Sequence, residues 1–223
     1  MISGVATTGR RGRPSRKKQI VKAAEALLRE RGLNGMTTRA IAEAVPCSEG
    51  AIYFHFEDRL ALILEVLHES LPEMLVPLHA LLTKAGTGDP EGNLVVAVAG
   101  LARFHRRVTL MLCSLLSEPE LLARFRQSLG DSRKGPHRGI AALAKYIEQE
   151  QSLGRISSEV DAKAAATGLM AATFFHQFTA ELFGHAEGLE PKRLVQFALG
   201  RPAATPGAGR RRASLASRQR LRK

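Results

Sequence analysis

The chain has 223 residues, 33 of them Lys or Arg against 21 Asp or Glu, with 44% hydrophobic residues, no Trp and two Cys. That apolar fraction is enough for one or two domains with a real core and argues against wholesale disorder. Cys47 and Cys113 alone exclude a disulfide framework or a cysteine-rich zinc site. No window approaches about 18 uninterrupted apolar residues, and no apolar stretch follows the basic N-terminus, so neither a membrane span nor a secretory signal is expected. A soluble cytoplasmic protein is the default expectation.

The charge is concentrated at the two ends. Residues 1–18 carry six basic side chains and no acid, and residues 201–223 carry eight and no acid, leaving 19 basic against 21 acidic side chains between them. The sequence therefore divides into a basic disordered arm (1–18), a near-neutral body (19–200) and a basic disordered tail (201–223). Cationic tails on a neutral body suit nucleic acid or another anionic surface, where they neutralise phosphates and release counterions.

Within the body the pattern is helical, in chain order. Residues 19–31 set Ile20, Ala23, Ala24, Leu27 and Leu28 on one stripe, and Gly32 stops that helix. Thr37 and Thr38 cap a short helix running to about Ala44, which Pro46 closes by disfavouring helix at Val45. Ser48 caps a third, at about 49–54, in which Phe54 and Phe56 read as core. A fourth begins near Asp58 with Leu60, Ile63, Leu64, Leu67 and Leu71 on its apolar face, and Pro72 is expected to end or kink it. A loop at 86–93 precedes helices at 94–117 and 118–129, broken near Pro119. Further helices follow at about 137–152, 161–183 and 191–199. No β alternation and no internal repeat interrupts this, so the fold class is all-α.

Residues 37–56, TTRAIAEAVPCSEGAIYFHF, carry the chemistry. Two short capped helices joined by Val45, Pro46 and Cys47 form a helix-turn-helix, whose second helix lies in the DNA major groove with its N-terminal end toward the bases. Ser48 and the free N–H groups at that helix start suit a phosphate. Gly50 and Ala51 permit close approach to base edges, Tyr53 and His55 offer polar heads to phosphate oxygens, and Arg39 reaches a guanine or a phosphate. Cys47 reads as a small apolar filler at the turn.

The segment Ile20–Leu62 resembles the DNA-binding domain of the TetR (tetracycline repressor) family. The match rests on Ile20, Ala23, Ala24, Leu27, Gly32, Thr37, Thr38, Ile41, Ala42, Ser48, Gly50, Ile52, Tyr53, Phe56 and Leu62. The resemblance implies a three-helix DNA-binding domain at 19–62, a helical ligand-binding and dimerisation domain at 63–200, and a homodimer on a palindromic operator. It also implies that Thr38, Arg39, Glu49, Gly50, Ala51, Tyr53, His55 and Arg59 face DNA. Pro46–Cys47 stands where the family usually has Gly-Val, and Arg59 where Lys is common; the latter change keeps the charge.

Upstream, Arg10-Arg11-Gly12-Arg13-Pro14 contains a core similar to the AT-hook, which lays arginines along a narrow minor groove; Arg11 and Arg13 are the expected contacts. Downstream of residue 63 no motif is as strong. The 161–183 helix is apolar nearly all round, with Ala164, Ala165, Gly168, Leu169, Ala172, Phe175, Thr179 and Leu182 on one face and Met170, Phe174 and Phe178 on another. It must therefore be buried on more than one side. With the 191–199 helix it makes the four-helix dimer interface that the resemblance implies. An effector pocket is likewise implied by the resemblance, with Phe104, Met111, Leu115, Phe174 and Phe178 as candidate lining and His105 and His176 beside aromatics. Glu65, His68 and Glu69 share a helix face that reads as solvated.

No nucleophile–base pair, Gly-rich phosphate loop or metal-ligand spacing emerges, so neither an enzyme nor a cofactor is expected. The leading expectation is a sequence-specific transcriptional regulator, a repressor released by a small molecule. Its competitor is an architectural nucleic-acid-binding protein driven by the tails.

Overall fold

The computed structural model describes residues 15–130, 135–185 and 188–201. Arg11 and Arg13, the hook-like tetrapeptide and nearly all of the basic tail lie outside these residues. Among the described residues the structure is all-α: α1 (Arg16–Gly35), α2 (Thr38–Ala44), α3 (Glu49–His55), α4 (Arg59–Thr83), α5 (Pro90–Leu115), α6 (Pro119–Gly130), α7 (Pro136–Ser152), α8 (Ala162–Phe183) and α9 (Pro191–Ala198).

Local chemistry sets the helix ends. Ser15 caps α1 by accepting from the Lys18 N–H, so Arg16, Lys17 and Lys18 form its first turn instead of belonging to a disordered arm. The regular helix breaks at Gly32, whose φ of 66° favours glycine, and one further turn buries Leu33. At the other end Arg201, assigned by sequence to the tail, pairs with Glu91 at 3.0 Å. α5 starts four residues before the expected position 94, because Asp89 accepts from the Gly92 N–H at 2.8 Å and Pro90 occupies the first helical position.

The largest departure from the sequence reading is α4, a helix of 25 residues that continues through Pro72 and Pro77. Each internal proline costs about 3 kcal/mol of helix propensity. Burial outweighs it: Val66, Ser70, Met74, Leu78 and Leu81 continue one buried stripe past both prolines. α5 also compensates locally. Pro77 has no N–H to give the Glu73 carbonyl, and Gly100 of α5 packs there so closely that a Cβ would lie 2.9 Å from that oxygen and 2.6 Å from Pro77 Cγ. The domain boundary expected at 62/63 thus falls inside one continuous helix.

α4 and α5 pack along one another, α7 and α8 cover them, and α1 docks on both α4 and α5. The docking is pinned by Arg107 of α5. Its Nε and Nη2 donate to both oxygens of Glu25 on α1 at 2.8 and 2.7 Å, and its Nη1 donates to Glu73 of α4 at 2.9 Å. The bonds to Glu25 and then Glu73 raise the guanidinium's already high pKa. Replacing Arg107 by Met is expected to lower stability by about 2 kcal/mol, since two half-buried carboxylates lose a bidentate partner. An unchanged urea midpoint would remove this pin from the account.

Candidate functional site

The helix pair is built on three capping side chains. Thr37 accepts from Ala40 N–H at 3.1 Å, Ser48 from Ala51 N–H at 3.3 Å and Asp58 from Ala61 N–H at 2.9 Å, starting α2, α3 and α4 in turn. Ile41, Ile52 and Phe56 are buried against Ile20, Ala24 and Leu28 of α1, and Cys47 packs half-buried against the same core. Despite Pro46 in the connection, both helices form, and the Pro46 carbonyl accepts from Arg16 Nη1 at 3.1 Å. That bond holds the start of α1 beside the turn.

Around α3 the sequence-selected residues gather on one surface. Arg39, Ser48, Glu49, Gly50 and Tyr53 are exposed, and Thr38, Ala51 and His55 are half-buried beside them. Two of them engage each other: Thr38 Oγ1 donates to Glu49 Oε2 at 2.6 Å. Arg39 pairs with Glu43 at 3.2 Å within α2. Gly50 is helical, and a Cβ there would meet nothing closer than Ser48 Oγ at 3.8 Å, so the fold itself does not demand glycine. Arg59 points differently. Its guanidinium donates to the Leu33 carbonyl and pairs with Glu118 at 3.5 Å, turning toward the protein.

One core assignment is overturned. Phe54 is 85% exposed, whereas Phe56 is buried. Ile52 is the one buried residue of this seven-residue helix, Phe54 two positions on lies on the opposite face, and Phe56 turns inward from the extended C-cap that follows. The exposed face of α3 therefore carries a wholly apolar ring that sequence reasoning missed.

Further along α4 lies a cavity of about 750 Å³, enclosed by α4 to α8. Phe104 and Phe174 line it as expected. Met111 and Leu115 do not: both are completely buried in the core, and Phe178 is half-buried away from the lining. The wall that the sequence reading missed comes from α4 and α6, through Leu64, Leu71, Met74 and Phe125. Glu65 and His68, read as a solvated face, border this cavity. His105 sits between the rings of Phe104 and Phe174, with centroids 5.5 and 5.6 Å away, and shares a 3.0 Å hydrogen bond with Thr173.

α6 touches both regions. Phe125 lines the cavity, while Arg124 and Glu118 pair with Asp58 and Arg59 at the start of α4. On the far side, α8 and α9 expose Phe175, Leu182, Phe183 and Phe197, the last by 82%.

Burial pushes the His105 pKa down to about 4, so the folded protein holds it neutral. Between about pH 4 and 6.5 the unfolded chain binds the extra proton, so this contribution to stability is complete above 6.5 and is lost as the pH falls toward 4. Unfolding free energies from urea titrations at pH 7.5 and 4.5 should differ by on the order of 2 kcal/mol more for the natural chain than for His105→Phe; equal differences would refute a buried neutral imidazole. Asp58 acts lower. Its pKa is depressed by the Ala61 N–H and by Arg124, so its contribution is lost only as the pH falls below about 3.8.

Residues 20–66 match the bacterial regulatory proteins of the tetR family. The HTH-type transcriptional regulator TtgR of Pseudomonas putida is 30% identical over 166 residues, 70% of this chain and 75% of that protein. Among solved structures, the fatty acid degradation regulator FadR of Bacillus halodurans has a TM-score of 0.60 at 15% identity, over 85% of this chain and 95% of that one. SmeT, the repressor of the Stenotrophomonas maltophilia multidrug efflux pump SmeDEF, has a TM-score of 0.57 at 23% identity, over 82% and 86%. With this helix-turn-helix, this helical body and these relatives, the chain belongs to the TetR family of bacterial transcriptional regulators.

Proposed function

We propose that the chain acts as a homodimeric repressor that binds an inverted-repeat operator and is released when a small molecule fills the cavity. The observation that carries this reading is α4, one helix whose first turn abuts the helix-turn-helix and whose middle lines the cavity. In this reading the DNA-binding unit is 19–62 and the regulatory and dimerisation unit 63–200, with α4 passing between them.

At DNA, α3 enters the major groove. Gly50 and Ala51 allow the backbone close to base edges, Ser48, Tyr53 and His55 meet phosphates, and Thr38, Arg39 and Glu49 flank them. A surface glycine inside a helix costs about 1 kcal/mol against alanine, which close approach to a base would offset. Arg16, tied to the Pro46 carbonyl, fixes the start of α1 beside the turn. Arg11 and Arg13 are then the residues of the preceding arm for an adjacent minor groove. The apolar face of α8 and α9 supplies the dimer contact, and Gly168, with nothing within 4 Å of an added Cβ, leaves room there for a second backbone.

Release follows from α6. A ligand that pushes Phe125 displaces the helix whose Arg124 and Glu118 hold Asp58 and Arg59. The start of α4 then shifts, and with it the spacing of the two recognition helices. Arg59 reaches a phosphate only when it leaves Glu118, so the same pair competes with DNA.

Selection of the purified protein from a random duplex pool at roughly physiological salt should enrich an inverted repeat with half-sites about one helical turn apart. Binding without an enriched motif would instead support the tail-driven reading. Phe54 makes a sharper case, since the thymine C5-methyl is the apolar group that the major groove offers it. Replacing the contacted thymine of that operator by deoxyuridine should weaken the natural protein by about 3- to 5-fold and leave Phe54→Ala unaffected. Equal losses in both proteins would exclude the contact.

A further inference from the structure

The polar side chains among the described lining residues are few: Glu65, His68, His105, Ser128 and Thr167. Among the described lining residues there is no Lys or Arg. The one carboxylate, Glu65, is already paired with Lys17 at 2.7 Å. Among the described lining residues an anionic head group would therefore meet no Lys or Arg, only the exposed imidazole of His68, and a cationic one would have to displace Lys17. The Ser128 and Thr167 hydroxyls donate to carbonyls of their own helices, at 2.7 and 2.8 Å.

His105 is the polar group set deep in the wall, only 5% exposed. Its hydrogen-bonding role is fixed by Thr173. The Thr173 hydroxyl has one proton, and the carbonyls of Leu169 and Met170 lie 3.0 and 2.9 Å from its oxygen. With that proton turned to the helix, the hydroxyl accepts from Nδ1–H of His105, and Nε2 is left as a lone-pair acceptor. Burial keeps the ring neutral, so Nε2 stays an acceptor at neutral pH. The volume suits a molecule of drug size.

We infer that the cavity takes an uncharged, largely apolar molecule bearing a hydroxyl group, whose proton is donated to His105 Nε2. This rests on the reading of the cavity as the effector site and adds the chemistry that the effector must have. Acids of the same skeleton are discriminated against because the described lining residues offer no Lys or Arg, and ethers by the missing proton.

The test uses three probes of one shape with the full chain at pH 7.5: 4-hexylphenol, 4-hexylanisole and 4-hexylbenzoate. Calorimetry should show the phenol binding at least 10-fold tighter than either of the others. In His105→Phe the phenol and the anisole should bind within 2-fold of one another. Benzoate or anisole binding as tightly as the phenol to the natural chain would overturn the inference and leave the effector-site reading standing; binding by none of the three would overturn it too. If His105→Phe fails to fold, as judged by its helical circular dichroism, the order of the three probes on the natural chain decides alone. Release of operator DNA is followed separately. A phenol that binds with the expected preference yet leaves the operator bound would refute the effector-site reading while the ligand chemistry holds.

Discussion

Everything in this molecule hangs on α4 remaining one helix. At about 1.5 Å per residue its 25 residues span about 37 Å, from the cap at Asp58 to Thr83. The α4 lining of the cavity, Ala61 to Met74, lies almost wholly before Pro72, so the cavity and the helix-turn-helix share one uninterrupted stretch, and a break at either proline would free the later part of α4 from its packing on α5. The stripe from Val66 to Leu81 holds the helix straight enough to be buried, and Gly100 lets α5 lie against the carbonyl that Pro77 leaves without its helical donor. Arg107 then ties the same helix to α1 through Glu73 and Glu25. In the proposed reading, this continuous helix is what would carry a displacement in the cavity toward α3.

The contacts between α6 and the start of α4 give this rod something to switch. Asp58 serves two masters, as the cap of α4 and as the partner of Arg124, and Arg59 is divided between the Leu33 carbonyl and Glu118. These are half-exposed ion pairs, individually worth about 1 kcal/mol or less. That weakness suits a regulator, because a ligand shifts an equilibrium only by the difference in its affinity for the two states. A network of strong buried pairs in the same place would demand more differential binding energy than one small apolar molecule supplies.

What was legible in the sequence was local. Thr37, Ser48 and Asp58 cap helices through bonds to N–H groups three residues on, and the apolar stripe of α1 needs only its own spacing. The helix-turn-helix, its surface and the all-α class follow from such terms. What was illegible depended on neighbours distant in sequence. Pro72 reads as an end or a kink because its local cost is plain, whereas the burial of Met74, Leu78 and Leu81 that overrides it comes from α5 and α7, distant in sequence. Leu64, Leu67 and Leu71 read as core alongside Leu60 and Ile63, yet they form a second, half-buried stripe on the cavity, because the other wall comes from α6 and α8. Met111 and Leu115 are apolar in the same way as Phe104, and only the placement of α8 decides which of them faces the void. Phe54 was misread for a different reason. An aromatic beside a helical stripe is usually core, but in a helix of two turns Ile52 alone takes the buried side, and the chain turns Phe56 inward only after the helix has ended.

The distribution of charge assigns affinity and specificity to different parts of the chain. The basic ends lie outside the near-neutral body, and their attraction to phosphates is independent of sequence and screened by salt. On the helix pair itself, Arg39 is engaged by Glu43 and Glu49 by Thr38, so the charged groups near α3 already have partners. In the proposed complex, what remains for reading bases is small or uncharged, Gly50 and Ala51 for approach and Phe54 for an apolar contact, while Ser48, Tyr53 and His55 hold phosphates. Discrimination by such groups comes from fit and from the methyl pattern of the groove, and it survives at salt concentrations that weaken the tails. In the proposed reading such a repressor locates DNA through its ends and recognises its operator through a nearly neutral surface, and a modest shift of α4 would undo the second without touching the first.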